Sequence, residues 1–316
     1  MKVLITDKVE QECIDELKKF KEIKVDLKSG LSEEEIIKII SGYEALIVRS
    51  ATKVTGAIIT AGSKLKVIGR AGAGVDNIDV KAATEKGVWV MNTPGGNSSA
   101  VAELTLGMIF ALARHLAKAD ASMKASKWEK KIFNGTEISN KVLGLVGIGN
   151  VGSIVGRKAK ALGMEVIASD PYVSASKASE MGITLVALEE LYKKADYISI
   201  HVPKNSETAG MINKEAMAKM KDGVYIINCA RGGIVLEKDL LEALNSGKVA
   251  GAGVDVFETE PPADLSLAKH PNVIATPHIG ASTIEAQVNV AIMIARQIGD
   301  FLTKNIVLNV VNSIEK

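Results

Sequence analysis

The sequence has little cysteine: two residues in 316, Cys13 and Cys229. Two thiols build neither a disulfide framework nor a four-thiolate zinc site, and no metal site is expected. It has no excess of charge, since 39 basic and 37 acidic side chains leave a formal +2. That balance removes the electrostatic case for a nucleic-acid partner or for adhesion to a membrane surface. It has no apolar run near the ~20 residues that span a bilayer. The longest, Leu104 to Ala113, is the length of a core helix. The opening MKVLITDKVEQECIDEL carries charge too early for a secretory signal. Internal repeats and low-complexity segments are absent. A soluble cytoplasmic protein without membrane or nucleic-acid partners is expected.

What is present is an alternation. Hydrophobic residues make up 47% of the chain and charged ones 24%, and at ~150 residues per domain the length favours two domains. Short β-branched runs predict strands at Val3–Thr6, Ile23–Leu27, Ala45–Val48, Lys66–Ile68 and Val88–Met91. Others are predicted at Val142–Val146, Glu165–Ser169, Tyr197–Ile200, Val224–Asn228, Ala250–Asp255 and Val273–Thr276. Helical spacing lies between most of them, and Ser32 with Glu35 forms a capping box. This alternation predicts an α/β protein with parallel sheets covered on both faces. Two long apolar helical patterns, Ser98 to about Ala125 and Thr283–Leu302, read as crossovers between domains. The expected architecture is two doubly wound domains: a flavodoxin-like substrate domain of residues 1–95 and 284–316, with a Rossmann-type domain of residues 96–283 inserted into it. The basic cluster Lys127, Lys130 and Lys131 reads as a solvated face.

Gly147-Ile-Gly149-Asn-Val-Gly152 matches the dinucleotide fingerprint G-x-G-x-x-G. A strand-like run precedes it and a helical pattern follows. Asp170 ends the next strand, close to the ~20 residues expected for an acid that binds ribose. Gly147 permits the tight turn, Gly149 lets backbone approach the pyrophosphate, and Gly152 lets helix and strand pack closely. The pyrophosphate would then meet free N–H groups at the helix start. The charge of Asp170 would repel a 2′-phosphate, so NAD is expected rather than NADP.

Ligands of open α/β sheets bind beyond the carboxyl ends of the strands. There the later strands place His201 and Pro203, Cys229 and Arg231, Asp255 and Glu260, and His278. Oxidation of a 2-hydroxy acid needs a base for the hydroxyl proton and a hydride acceptor. His278 is the candidate base. Glu260 can bond its second ring nitrogen and fix the tautomer. Arg231 offers a planar fork to a carboxylate. His115 reads as a surface residue, and His201 either packs or lines the cofactor side. Cys229 reads as a packed or cofactor-adjacent thiol rather than a nucleophile.

The chain resembles the D-isomer-specific 2-hydroxyacid dehydrogenases along almost its whole length. The resemblance rests on Ile47-Val-Arg-Ser-Ala-Thr-Lys-Val54, Gly69-Arg-Ala-Gly-Ala-Gly-Val-Asp-Asn77 and Gly96-Asn-Ser-Ser-Ala100. It extends to Asn228-Cys-Ala-Arg-Gly-Gly-Ile-Val235, Asp255-Val-Phe257 with Glu260-Pro-Pro262, and His278-Ile-Gly-Ala-Ser-Thr283. It implies Arg231, Glu260 and His278 as catalytic residues. It implies cofactor contacts at Asn150, Val151, Asp170, Cys229, Ala230, Asp255 and Gly280, with Arg231 and His278 bordering the same cofactor. On the substrate side it implies Arg49, Gly74, Val75 and Asn97. Gly72 and Gly74 would offer backbone N–H groups to a carboxylate as a nest. Arg49 and Arg70 are candidates for the phosphate of a phosphorylated 2-hydroxy acid. Ala73 departs from relatives that carry threonine, and a homodimer is expected through the Ser98–Ala125 segment. No appended serine-binding regulatory domain is expected after the second crossover. The same chemistry on an unphosphorylated acid, as in glyoxylate or hydroxypyruvate reduction, is the alternative. An NAD-sensing corepressor is a further one.

Overall fold

The computed structural model describes residues 1–314 and divides into two compact units. Unit 1 comprises Met1–Ser98 together with the described residues from Ser282 onward, and unit 2 comprises Ser99–Ala281.

Unit 1 holds β1 (Lys2–Ile5), β2 (Lys24–Leu27), β3 (Ala45–Val48), β4 (Val67–Arg70) and β5 (Trp89–Met91). They form one parallel sheet in the order β2-β1-β3-β4-β5, the flavodoxin-like order. Both faces are buried, which is why β3 reads as an unbroken apolar run. Side chains alternate between the faces. Val3, Ile5, Ala45, Ile47 and Val67 join a core with helices Gln11–Lys18 and Ile284–Lys304. Leu4, Leu46, Val48 and Ile68 join a second core that includes Ile36, Ile58, Ile59 and Ala83. The predicted capping box is present: Glu35 N–H donates to Ser32 Oγ at 3.3 Å, and Ser32 N–H to Glu35 Oε2 at 2.8 Å. Thr283 caps the last long helix, accepting the Ala286 N–H at 3.1 Å.

Unit 2 holds β6 (Val142–Val146), β7 (Glu165–Ser169), β8 (Thr184–Leu185), β9 (Tyr197–Ile200), β10 (Val224–Asn228), β11 (Val249–Val254) and β12 (Val273–Ala275). The sheet is parallel, in the order β12-β11-β10-β9-β6-β7-β8. The chain winds one way from β6 to β8 and the other way from β9 to β12. The switch point therefore lies between β6 and β9. The two-residue β8 is too short to carry a periodic signal, and the sequence reading missed it.

The expected single helix from Ser98 to about Ala125 is two helices, Ser98–Ala113 and Leu116–Lys124, bent by 66°. His115 makes the break by adopting φ 52°, ψ 33°, the left-handed conformation. It is half-buried rather than fully on the surface, and its Nε2 lies 3.3 Å from the Asn134 carbonyl. The first helix supplies Ala102, Leu106, Met108, Ile109 and Leu112 to the core under the sheet. Among the described residues, no single helix is long and apolar enough to cross a membrane.

Candidate active site

At the switch point of unit 2, β6 runs into the glycine loop. Gly147 adopts φ 90°, and a Cβ there would lie 2.9 Å from the His201 carbonyl oxygen, so the turn is pressed against the end of β9. A Cβ on Gly152 would lie 2.2 Å from the Gly147 carbonyl oxygen. Gly152 thus lets the helix Asn150–Ala161 start directly on the loop, not only on the strand. A Cβ on Gly149 would meet no protein atom within 4 Å, and no side chain caps this helix. Open space, an uncapped helix start and exposed Asn150 fit a dinucleotide pyrophosphate. Half-buried Val151 follows Asn150 in that first turn.

Asp170 follows β7 and is tied to this loop. Its Oδ2 accepts the Ile148 N–H at 2.9 Å and its Oδ1 accepts the Tyr172 N–H at 2.9 Å. A carboxylate has about four lone-pair positions, so two bonds orient the group and leave acceptor capacity for ribose hydroxyls. His201 Nε2 lies 2.9 Å from Ser199 Oγ, and burial pushes its imidazole down to about 4. His201 is therefore neutral near pH 7 and gives no positive charge to a pyrophosphate. Pro203 is exposed, and its carbonyl accepts the Thr208 hydroxyl at 2.6 Å.

Three further loops leave adjacent strands. After β10, buried Asn228 shapes the turn: Ala230 N–H donates to its Oδ1 at 3.0 Å, and its Nδ2 donates to the Arg231 carbonyl at 3.0 Å. Arg231 is half-buried and its Nη1 donates to the Ala230 carbonyl at 2.7 Å. The Cys229 side chain turns into the core, with Sγ 3.6 Å from Met108 Sδ, and burial pushes the thiol up to about 12. Any cofactor contact at Cys229 would therefore use its backbone.

After β12, His278 adopts φ 53°, a conformation that costs free energy in a residue with a Cβ. Its Nδ1 lies 2.6 Å from Glu260 Oε2, and Glu260 Oε1 accepts the Phe257 N–H at 3.1 Å. Buried Asp255 holds the histidine loop in place. Its Oδ1 accepts from Thr276 Oγ1 at 2.5 Å and Ile279 N–H at 2.8 Å, and its Oδ2 from Gly280 N–H at 2.8 Å. The sequence reading put Asp255 and Gly280 against the cofactor; here the Asp255 carboxylate and the Gly280 N–H bond each other.

In unit 1, Arg49 follows β3 directly and Arg70 ends β4. Arg70 Nε donates to the Arg49 carbonyl at 3.2 Å and to Asn77 Oδ1 at 2.7 Å, and its Nη1 donates to the Gly74 carbonyl at 2.7 Å. These bonds make Arg70 an organiser of the 71–77 loop. The nest expected at Gly72–Gly74 is not formed, because neither glycine adopts positive φ. The Gly72 N–H is taken by the Arg70 carbonyl at 2.9 Å. Val75 and Asn97 are half-buried.

Residues 106–280 match the model of the D-isomer specific 2-hydroxyacid dehydrogenase, NAD binding domain. The chain belongs to this family, and the matched segment is the family's NAD-binding domain. Over 301 residues it is 54% identical to a D-3-phosphoglycerate dehydrogenase of Synechocystis sp., covering 95% of this chain and 54% of that protein. The chain thus spans just over half the length of the curated relatives it matches. Its fold is similar to an NAD+-bound 3-phosphoglycerate dehydrogenase from Entamoeba histolytica, with TM-score 0.84, 32% identity, and coverage of 100% of this chain and 99% of that one. It is also similar to a glyoxylate reductase from Paecilomyes thermophila, with TM-score 0.89, 29% identity and 98% of each chain covered.

Proposed function

We propose that the protein oxidises D-3-phosphoglycerate to 3-phosphooxypyruvate with NAD, the first step of a phosphorylated route to L-serine. The observation that carries the reaction class is the His278–Glu260 pair at 2.6 Å beyond adjacent parallel strands. The name shared by curated relatives at 47–54% identity supports the phosphorylated substrate over glyoxylate or hydroxypyruvate.

The glycine loop and Asp170 would hold NAD, which when bound supplies the hydride acceptor. A carboxylate only accepts hydrogen bonds, so Glu260 keeps the proton of His278 on Nδ1. Nε2 is then left as the base that takes the substrate hydroxyl proton. The nearby carboxylate stabilises the imidazolium that forms. Asp255 and the Phe257 N–H hold this pair in its geometry. Arg231, shaped by Asn228, offers N–H donors to the substrate carboxylate and polarises the adjacent carbon–oxygen bond. Arg49 is the phosphate ligand, and the domain comprising residues 1–95 and 284–316 is the substrate-binding domain. Leu116, Met123, Trp128 and Ile132 are exposed by 53%, 56%, 81% and 66%. These four exposed large apolar side chains, close in sequence, support a homodimer, since burying them at an interface would remove apolar area from water.

His278→Ala tests the assignment. Turnover should fall by about 10²–10⁴-fold, the usual contribution of a general base, while NADH binding measured by fluorescence stays within about twofold. A variant that turns over like the parent protein removes His278 from the chemistry.

A further inference from the structure

The switch point of unit 1 lies between β1 and β3, where the strand order changes direction. Ligands of such sheets bind beyond the strand ends at this point. Asp7 follows β1 there and is 4% exposed. Its Oδ2 accepts the N–H groups of Arg49 at 2.6 Å and Ala51 at 3.2 Å. Its Oδ1 accepts the Thr52 N–H at 3.0 Å and the Thr52 hydroxyl. Asn77 closes the same loop from its acceptor side, with Nδ2 donating to the carbonyls of Arg49 at 2.8 Å and Thr52 at 2.7 Å. The guanidinium is docked to the same segment: Arg49 Nη1 donates to the carbonyl of Lys8, the residue after Asp7, at 3.1 Å.

A buried carboxylate is costly unless hydrogen bonds compensate it. Here that charge is directed at the backbone of one four-residue loop whose first residue is Arg49. An arginine side chain loses rotamer freedom when it grips an anion, and fixing its backbone and one nitrogen beforehand reduces that loss. We propose that Asp7 is a positioning residue for substrate specificity, holding Arg49 ready for the phosphate of a phosphorylated 2-hydroxy acid. The inference rests on the reading of Arg49 as the phosphate ligand.

Asp7→Asn replaces one acceptor oxygen with an amide that faces N–H donors. It should lower kcat/KM for D-3-phosphoglycerate by at least about tenfold, mainly through KM, and that for D-glycerate by less than about threefold, with NADH affinity unchanged. The ratio of the two substrates does not depend on the fraction of protein folded, so a destabilised variant remains informative. If D-glycerate turns over too slowly, KM for the phosphorylated acid against Kd for NADH makes the same comparison. Should Asp7→Asn fail to accumulate, Thr52→Val removes the hydroxyl that bonds Asp7 and Thr6 Oγ1 but keeps the Thr52 N–H on Asp7, and is read in the same way, with a smaller shift expected. An unchanged ratio overturns the proposal and leaves Asp7 a purely structural clamp. Arg49→Gln separates the two levels. If it leaves the ratio unchanged, the phosphate reading of Arg49 fails. If it collapses the ratio while Asp7→Asn does not, only the role of Asp7 fails.

Discussion

Asp170 and Asp255 are the same residue type at the ends of parallel strands, yet their surroundings give them different tasks. Asp170 is half-exposed and bonded to two backbone N–H groups, so it can still accept from a ligand. Asp170→Asn removes the charge and keeps one of the two acceptor oxygens that bond the loop. The ratio of kcat/KM for NAD over NADP should therefore drop by about tenfold or more, a change of ~1.4 kcal/mol. An unchanged ratio would remove Asp170 from cofactor discrimination. Asp255 is buried and takes three donors from the loop 276–280, so it works as a clamp on that loop. Its spacing from a strand end was legible in the sequence. Its partners were not, because they arrive from another strand about 20 residues later, and only the sheet order brings them together. The same holds for Asp7: a single carboxylate in a short strand–loop segment gives no pattern until β3 lies beside β1.

Among the elements, the glycine loop makes the sharpest contrast. A methyl at Gly152 would meet the Gly147 carbonyl at 2.2 Å, whereas one at Gly149 meets no protein atom. Gly152→Ala should therefore lower the melting temperature, with a cost of roughly 1–3 kcal/mol for overpacking, and also abolish NADH binding. Gly149→Ala should weaken NADH binding with a much smaller loss of stability, since only the ligand competes for that space. Equal losses of stability in both variants would show that Gly149 is structural. Six of the seven strands of the larger sheet were readable, because buried parallel strands are short apolar runs enriched in β-branched residues, and β6, β7, β9 and β10 begin and end where the sequence places them. The break at His115 was not readable. Arginine and histidine are tolerated inside helices, the apolar pattern continues on both sides, and no glycine or proline marks the turn.

At the scale of the molecule, alternation of strands and helices revealed the α/β class, and two apolar helical patterns suggested that the chain leaves its first domain and returns. The strand orders themselves are long-range facts. Nothing in a local run of valines and isoleucines states that β1 lies between β2 and β3, or that β6 lies beside β9. Those orders matter because they locate two switch points, one at Asp7 and Arg49 and the other at the glycine loop and His201. They also set Arg231, Glu260 and His278 beyond three neighbouring strands. The proposed reaction is hydride transfer from a phosphorylated 2-hydroxy acid to NAD. The most direct test is NAD reduction by the purified protein with D-3-phosphoglycerate, D-glycerate and D-lactate in parallel, with a trap for the keto product. Turnover should be confined largely to D-3-phosphoglycerate. Turnover mainly with an unphosphorylated acid, or with none of the three, would contradict it.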